Sequence, residues 1–231
     1  MSQPEFDRFA TNYREVHEQN IAISGEAPEY FAFYKMRDFA RIAHAVGAPS
    51  DGRYLDFGSG IGASVVPFQT ALPQALLICT DVSPESLAES RRAHGPGVEY
   101  VVIGENKLPI ADSSVDGAFA CCVFHHIPAA EHVANLEDLR RVLRPGAPLM
   151  IYEHNPYNPL TVRAVNTCPL DENAVLINSR EMGRRCSLAG FTQVQTSYRV
   201  FFPGSLKLFR PLEEHLRWLP LGAQYFISAR A

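Results

Sequence analysis

Five short apolar runs, separated by stretches with helical spacing, leave this chain few ways to fold. YLDFG (Tyr54 to Gly58), LLICTD (Leu76 to Asp81), VEYVVIG (Val98 to Gly104), DGAFACCVF (Asp116 to Phe124) and PLMIYE (Pro148 to Glu153) each read as a strand buried on both faces. Between them, Ser83, Pro84 and Glu85 supply an N-cap, a first-turn proline and an acid that suits a helix dipole, and that helix ends near Gly95. Val133, Leu136, Leu139 and Leu143 recur at helical spacing until the Arg144 to Gly146 turn stops them. Further helices are expected from Pro28 to Val46, ended by Gly47 and Pro49, and from Ser179 to Gly190. Phe6, Phe9, Tyr13 and Val16 would form one more apolar stripe. The β-rich runs Phe191 to Phe202 and Gln224 to Ala231 read as two final strands. Such alternation implies an α/β, doubly wound, mostly parallel sheet that receives ligands outside the carboxyl ends of its strands.

The 231 residues suit one domain: an N-terminal helical lid region over 1–50, a ligand-binding core over 51–153, and substrate-lid insertions with the final strands over 154–231. The net charge of −4 comes from interspersed acids and bases without a basic stripe, so nucleic acid is not an expected partner. No apolar run approaches the roughly 20 residues of a membrane helix, and MSQPEFDRF lacks the pattern of a secretory leader. A cytoplasmic protein with no stable membrane insertion is the expectation. The five cysteines are odd in number and form no CxxC pair, so neither disulfides nor zinc are indicated.

The main chemical signal is LDFGSGIG, Leu55 to Gly62. Asp56 stands at a strand's end, and Gly58, Gly60 and Gly62 let backbone and ligand approach closely in the turn that follows. The same glycines satisfy the dinucleotide-binding pattern, and both readings want an acid at the tip of the second strand, which Asp81 supplies. That carboxylate would accept hydrogen bonds from both hydroxyls of an adenosine ribose. With Asp56 at the ligand's other end, a ligand carrying ammonium and sulfonium charges gains where a pyrophosphate is repelled, which favours S-adenosylmethionine over NAD. Plainer roles stand beside these: an ordinary tight turn for the glycines, a loop cap for Asp56, and a cap of the Ser83 helix for Asp81.

Four segments in order raise the signal. LDFGSGIG, TDVSPESL, LPIADSSVDGAF and RVLRPGAPLMI together resemble the class I S-adenosylmethionine-dependent methyltransferases, especially the small-molecule group that includes quinone-precursor methyltransferases. The resemblance covers roughly residues 6 to 190. It implies a Rossmann-like seven-stranded sheet with an antiparallel last strand and an N-terminal helical lid. It also implies that Asp56, Gly58 and Gly60 hold the methionine part of S-adenosylmethionine, Asp81 the ribose and Val82 the adenine face, with Cys121 and Cys122 beside the cofactor. Tyr13 looks like the family's lid tyrosine. Where many relatives carry an Asp-Ala pair before the LP dipeptide, this chain has Gly104 and Glu105, so that Glu105, Asn106 or backbone amides alone would meet the adenine amino group.

The implied reaction is in-line displacement at the sulfonium methyl, with product S-adenosylhomocysteine, and positioning does most of it. A base helps where the nucleophile carries a proton. His125 and His126 follow the fourth strand and Glu153 and His154 end the fifth; His126 and His154 are favoured as base or orienting group, His125 and Glu153 as substrate contacts. The bland alternative has these histidines satisfying loop carbonyls. No metal set emerges, because the histidines lack helical i, i+4 spacing with an acid. The segment from Glu153 to Pro169 reads as a lid in which Asn155, Tyr157 and Arg163 contact a small polar or acidic acceptor, or in which the asparagines merely cap turns. A second insertion, Phe202 to Gln224, carries an apolar stripe whose default role is to cover the sheet's edge, with a homodimer contact or a lipid or apolar substrate contact as alternatives. The acceptor would be a hydroxyl or thiol in preference to an amine. An NAD(P)-dependent oxidoreductase and a nonenzymatic S-adenosylmethionine-binding protein are the competing classes.

Overall fold

The computed structural model describes residues 18, 20, 21, 25–104 and 107–231; the stripe from Phe6 to Val16, including Tyr13, and the pair Glu105 and Asn106 lie outside them. Seven strands form one sheet: β1 (Arg53–Phe57), β2 (Leu76–Asp81), β3 (Glu99–Val102), β4 (Gly117–Cys121), β5 (Pro148–His154), β6 (Thr192–Arg199) and β7 (Gln224–Arg230). Their order is β3-β2-β1-β4-β5-β7-β6. β1 to β5 run parallel, and β7 lies antiparallel between β5 and β6, as the resemblance implies.

Helices cover both faces, and the strands between them are apolar on both sides. On one face, α1 (Pro28–Ala45), α2 (Val65–Ala71) and α3 (Pro84–His94) enclose Phe39, Tyr54, Phe68 and Phe119. On the other, α4 (His132–Val142) and α6 (Ser179–Leu188) bury Leu136, Leu139, Met182 and Cys186 against Leu55, Ile78 and Ile151. In chain order between these two helices comes α5 (Pro159–Thr167), whose start is fixed by Asn158, accepting from the N–H groups of Leu160 and Thr161. Ser83 caps α3 as its sequence suggests, its hydroxyl accepting from the Ser86 N–H. The five cysteines are all free thiols. Among the described residues, no helix is long and apolar enough to cross a membrane.

β4 stops earlier than its apolar run. Cys122 has φ of +60°, and Phe124–His126 form a 3-10 turn. The cause is a buried carboxylate from the neighbouring strand: Oε1 of Glu153 accepts the N–H groups of Val123 and Phe124 at 3.2 and 2.8 Å and bends the chain off the sheet. Leaving β3, the chain returns to the far side of β1, so the loops after β1 and β4 diverge at the topological switch point where ligands enter such folds.

The insertion after β6 departs from the expected edge cover. It forms a 3-10 segment, Gly204–Leu212, and the short α7, Glu213–Leu216. Ion pairs of Arg210 with Glu26 and Arg217 with Glu214, and hydrogen bonds that Glu213 accepts from the Phe201 and Phe202 N–H groups, hold its polar side. Its apolar side is not buried; Leu208 is 84% exposed and Trp218 is 74% exposed.

Candidate active site

The loop after β1 is built from backbone. The N–H groups of Gly58 and Ser59 both donate to the Thr80 carbonyl at 2.9 Å, tying the turn to the end of β2. Gly58 has φ of +72°, and a Cβ there would stand 2.6 Å from a Val123 methyl, so only glycine lets this loop pass the one after β4. Gly60 differs: its φ is +53°, but a Cβ would meet nothing within 4 Å, because it faces a cavity.

Asp81 ties the glycine loop to the segment that begins α3: its Oδ2 accepts from the Gly60 N–H at 2.8 Å and its Oδ1 from the Ser83 N–H at 2.9 Å. Asp56 is 2% exposed beneath the same loop and accepts from the Ser64 hydroxyl. Burial pushes its carboxyl up to about 7, against the Ser64 hydrogen bond and with help from the Asp81 charge. A cation arriving there would restore the ionised form.

These groups line a cavity of about 600 Å³ together with Val82, Ile103, Gly104, Cys121, Cys122 and His126. The residues fit S-adenosylmethionine: two carboxylates at separated points, a glycine face with no Cβ in the way, a half-exposed Val82, and no lysine or arginine on the glycine loop for a pyrophosphate. Tyr13, Glu105 and Asn106 lie outside the described residues.

A second cavity, of about 300 Å³, adjoins the first across Ala63, Ser64, Cys121, Cys122 and His126. Its walls are mostly apolar, from Phe31 and Met36 of α1, Leu160 and Val165 of α5, and Val200 and Phe201 after β6. Its polar end gathers Lys35, Cys122, His125, His126, His154 and Asp171. Burial would raise the Cys122 thiol, but the Lys35 ammonium, 3.4 Å from its sulfur, and His154 outweigh that and lower it to about 7. His125 is fully enclosed, its Nδ1 2.5 Å from Oε2 of Glu153. Burial opposes charge on this ring, yet Glu153 and then Asp171 prevail and raise it to about 10. Asp171 lies 3.4 Å from Nε2 of His125 and 3.5 Å from Nε2 of His126. Despite its own burial, those contacts hold its carboxyl far below the usual range.

Four expected substrate contacts are displaced from this cavity. Glu153 is buried behind His125 and occupied by the turn after β4, so it positions instead of contacting. Asn155 is likewise buried; its amide donates to the Pro220 and Gly222 carbonyls at 3.1 and 2.7 Å and its oxygen accepts the Tyr157 N–H, the turn-capping alternative. Tyr157 and Arg163 point outward and line neither cavity, because α5 presents its apolar side to the site. Lys35 and Asp171 went unnoticed in the sequence, having no motif around them. Lys35 sits mid-helix at a core-facing position, an oddity that could have flagged it.

Residues 55–146 match the model of a methyltransferase domain family. Over 129 residues the chain is 33% identical to a thiol S-methyltransferase of Homo sapiens, covering 52% of this chain and 50% of that protein. It is 29% identical over 116 residues to a ubiquinone/menaquinone biosynthesis C-methyltransferase of Desulfotalea psychrophila, covering 50% of this chain and 46% of that one. The chain thus spans about half the length of these curated relatives. A Haloferax volcanii methyltransferase, solved in complex with the Trm112 methyltransferase activator, superposes with a TM-score of 0.69 at 17% identity over 100% of this chain and 99% of that one, a likeness of fold. The matched stretch runs from β1 to the turn before β5 and so holds both acidic residues and the switch-point loops, and the family match, the relatives and the shared fold together support a class I S-adenosylmethionine-dependent methyltransferase.

Proposed function

We propose that this protein transfers the methyl group of S-adenosylmethionine to a small, largely apolar acceptor bearing a thiol or hydroxyl. The observation that carries the reading is the shared wall: two cavities meet at Cys121, Cys122 and His126, so a nucleophile in the smaller one faces a ligand in the larger. When bound, the cofactor supplies an electrophilic methyl on a positively charged sulfur. Asp56 in its ionised form answers the ammonium, Asp81 takes the ribose hydroxyls, and Val82 lies under the adenine. His126, lining both cavities and paired with Asp171, receives the acceptor's proton as the new bond to the methyl carbon forms and the old carbon–sulfur pair returns to the cofactor sulfur. His154, beside Cys122, orients.

A thiol acceptor is supported by the similarity to thiol S-methyltransferases and by the apolar walls, which suit a soft, poorly hydrated nucleophile. An open acceptor cavity also speaks against a binding-only protein, which would need that space closed. The test is calorimetric binding of S-adenosylmethionine and S-adenosylhomocysteine, followed by methyl transfer to matched thiol, hydroxyl and amine acceptors. Micromolar binding that Asp81→Ala weakens about tenfold or more is expected, since losing a charge-assisted pair costs about 1.5–3 kcal/mol. Binding of NAD in place of either ligand would overturn the reading.

A further inference from the structure

His125, His154 and Asp171 come from three distant segments: the turn after β4, the last residue of β5 and the 3-10 turn Pro169–Asp171 after α5. At the polar end of the acceptor cavity, one ring nitrogen or carboxylate oxygen from each lies within 4.8 Å of the other two. Two features mark this as more than crowding. The first is the backing of His125. Glu153 is fixed by two backbone N–H groups and takes Nδ1 of the ring, which leaves Nε2 as the outward nitrogen. A carboxylate behind an imidazole is how metal-binding histidines are commonly oriented. The second is that this Nε2 is buried and, among the described residues, makes no hydrogen bond of good geometry, its contact with Asp171 being a longer ion pair. Its neighbour, Oδ1 of Asp171, stands 3.4 Å away. That is close to the ~3.3 Å between two ligand atoms on a tetrahedral ion with bonds of ~2.0–2.1 Å.

We propose that His125, His154 and Asp171 form a binding site for a divalent transition ion of the zinc class, with an open coordination position toward the acceptor cavity. Two imidazoles and one carboxylate are a borderline donor set that accepts such ions. The second half of the inference rests on the methyltransferase reading: the open position takes the acceptor's sulfur as a thiolate, its proton passing to His126 as the metal–sulfur bond forms, so that with the ion bound His126 takes the proton ahead of methyl transfer and not during it. The thiolate is the nucleophilic form.

The experiment uses the full chain, freed of any affinity tag, titrated with Zn2+ in a calorimeter beside His154→Ala and Asp171→Asn. Circular dichroism melts establish that both variants fold. S-adenosylmethionine is titrated into the same three proteins, since neither substituted residue lines the cofactor cavity. One equivalent of Zn2+ at micromolar affinity or better, weakened at least tenfold in each variant with cofactor binding within about twofold, is the expected result. Absent stoichiometric binding, or binding that both variants keep, overturns the site whatever the cofactor does. Zinc binding without cofactor binding leaves the site standing and overturns the function proposed above. With Co2+ as the ion, benzenethiol should add a sulfur-to-metal charge-transfer band; a spectrum unchanged by the thiol overturns the thiolate assignment.

Discussion

The two cavities are built by opposite means. The larger centres on neighbours in sequence: residues 56–61, 63 and 64 form one part of its lining and Asp81 and Val82 another, and backbone N–H groups and glycines shape the loop between them. The smaller draws on α1, the turn after β4, the end of β5, α5 and the segment after β6, and side chains with titratable groups shape it. A cavity of the first kind depends on backbone conformation at a few positions; one of the second kind depends on charge balance across the fold. His126 lies in the wall common to both, so its removal carries the largest expected effect. His126→Ala should lower kcat about a hundredfold to ten-thousandfold, the range for a lost general base, with cofactor affinity little changed. If KM rises while kcat holds, His126 only positions the acceptor, and the wall is structural.

Backbone dependence is next in size, and two glycines separate it from simple space-filling. Gly58→Ala combines a left-handed conformation, costing about 1–2 kcal/mol, with a clash against Val123 costing about 1–3 kcal/mol more. Gly60→Ala carries only the conformational part, since its Cβ would enter the open cavity. Thermal melts should therefore rank Gly58→Ala well below Gly60→Ala in stability. Cofactor binding should fall in Gly60→Ala even where the melt changes little. Equal melts would break the claim that the loop is wedged against the turn after β4.

This contrast explains what could be read in advance. Asp56, Gly58, Gly60 and Asp81 sit in short local motifs, and the mostly parallel α/β class followed from strands that are apolar on both faces, whereas the seven-stranded order with its antiparallel last strand came from the family resemblance. The acceptor side is non-local. Nothing near residue 171 marks its aspartate as the partner of histidines 45 and 46 residues earlier. Asn155, Tyr157 and Arg163 were the conspicuous polar residues of their segment, yet α5 turns its apolar side inward and Asn155 is consumed by the Pro220 and Gly222 carbonyls. Strand length was also misjudged at β4, because a carboxylate one strand away ends it.

Electrostatics gives a smaller effect with a definite sign. Asp56 is raised to about 7 in the empty site, so folding holds a proton there that the unfolded chain releases near its ordinary value of 3.8. Its contribution to stability therefore falls as pH rises between those values. A cationic ligand selects the ionised carboxylate, so S-adenosylmethionine affinity should climb with pH, approaching tenfold per unit below about 7, and level off above it. Asp56→Asn should flatten that slope, which isolates it from Cys122, whose thiol titrates in the same range.

The smallest effect is expected on the insertion after β6, which lines a cavity only at its two ends, through Pro203, Ala223 and Gln224. Trp218 and Leu208 have little protein to leave: both are largely exposed while Arg210, Glu213 and Arg217 hold the segment. Trp218→Ser and Leu208→Ser should each shift stability by no more than about 0.5 kcal/mol in dilute solution, the usual size for surface changes. A loss of stability that grows with protein concentration would mean that a second copy covers this face, since association stabilises by mass action. A loss independent of concentration would instead mean that these side chains pack within the chain. Either result would extend the non-local architecture of the acceptor side to the neighbouring surface, and neither would touch the loop that holds the cofactor.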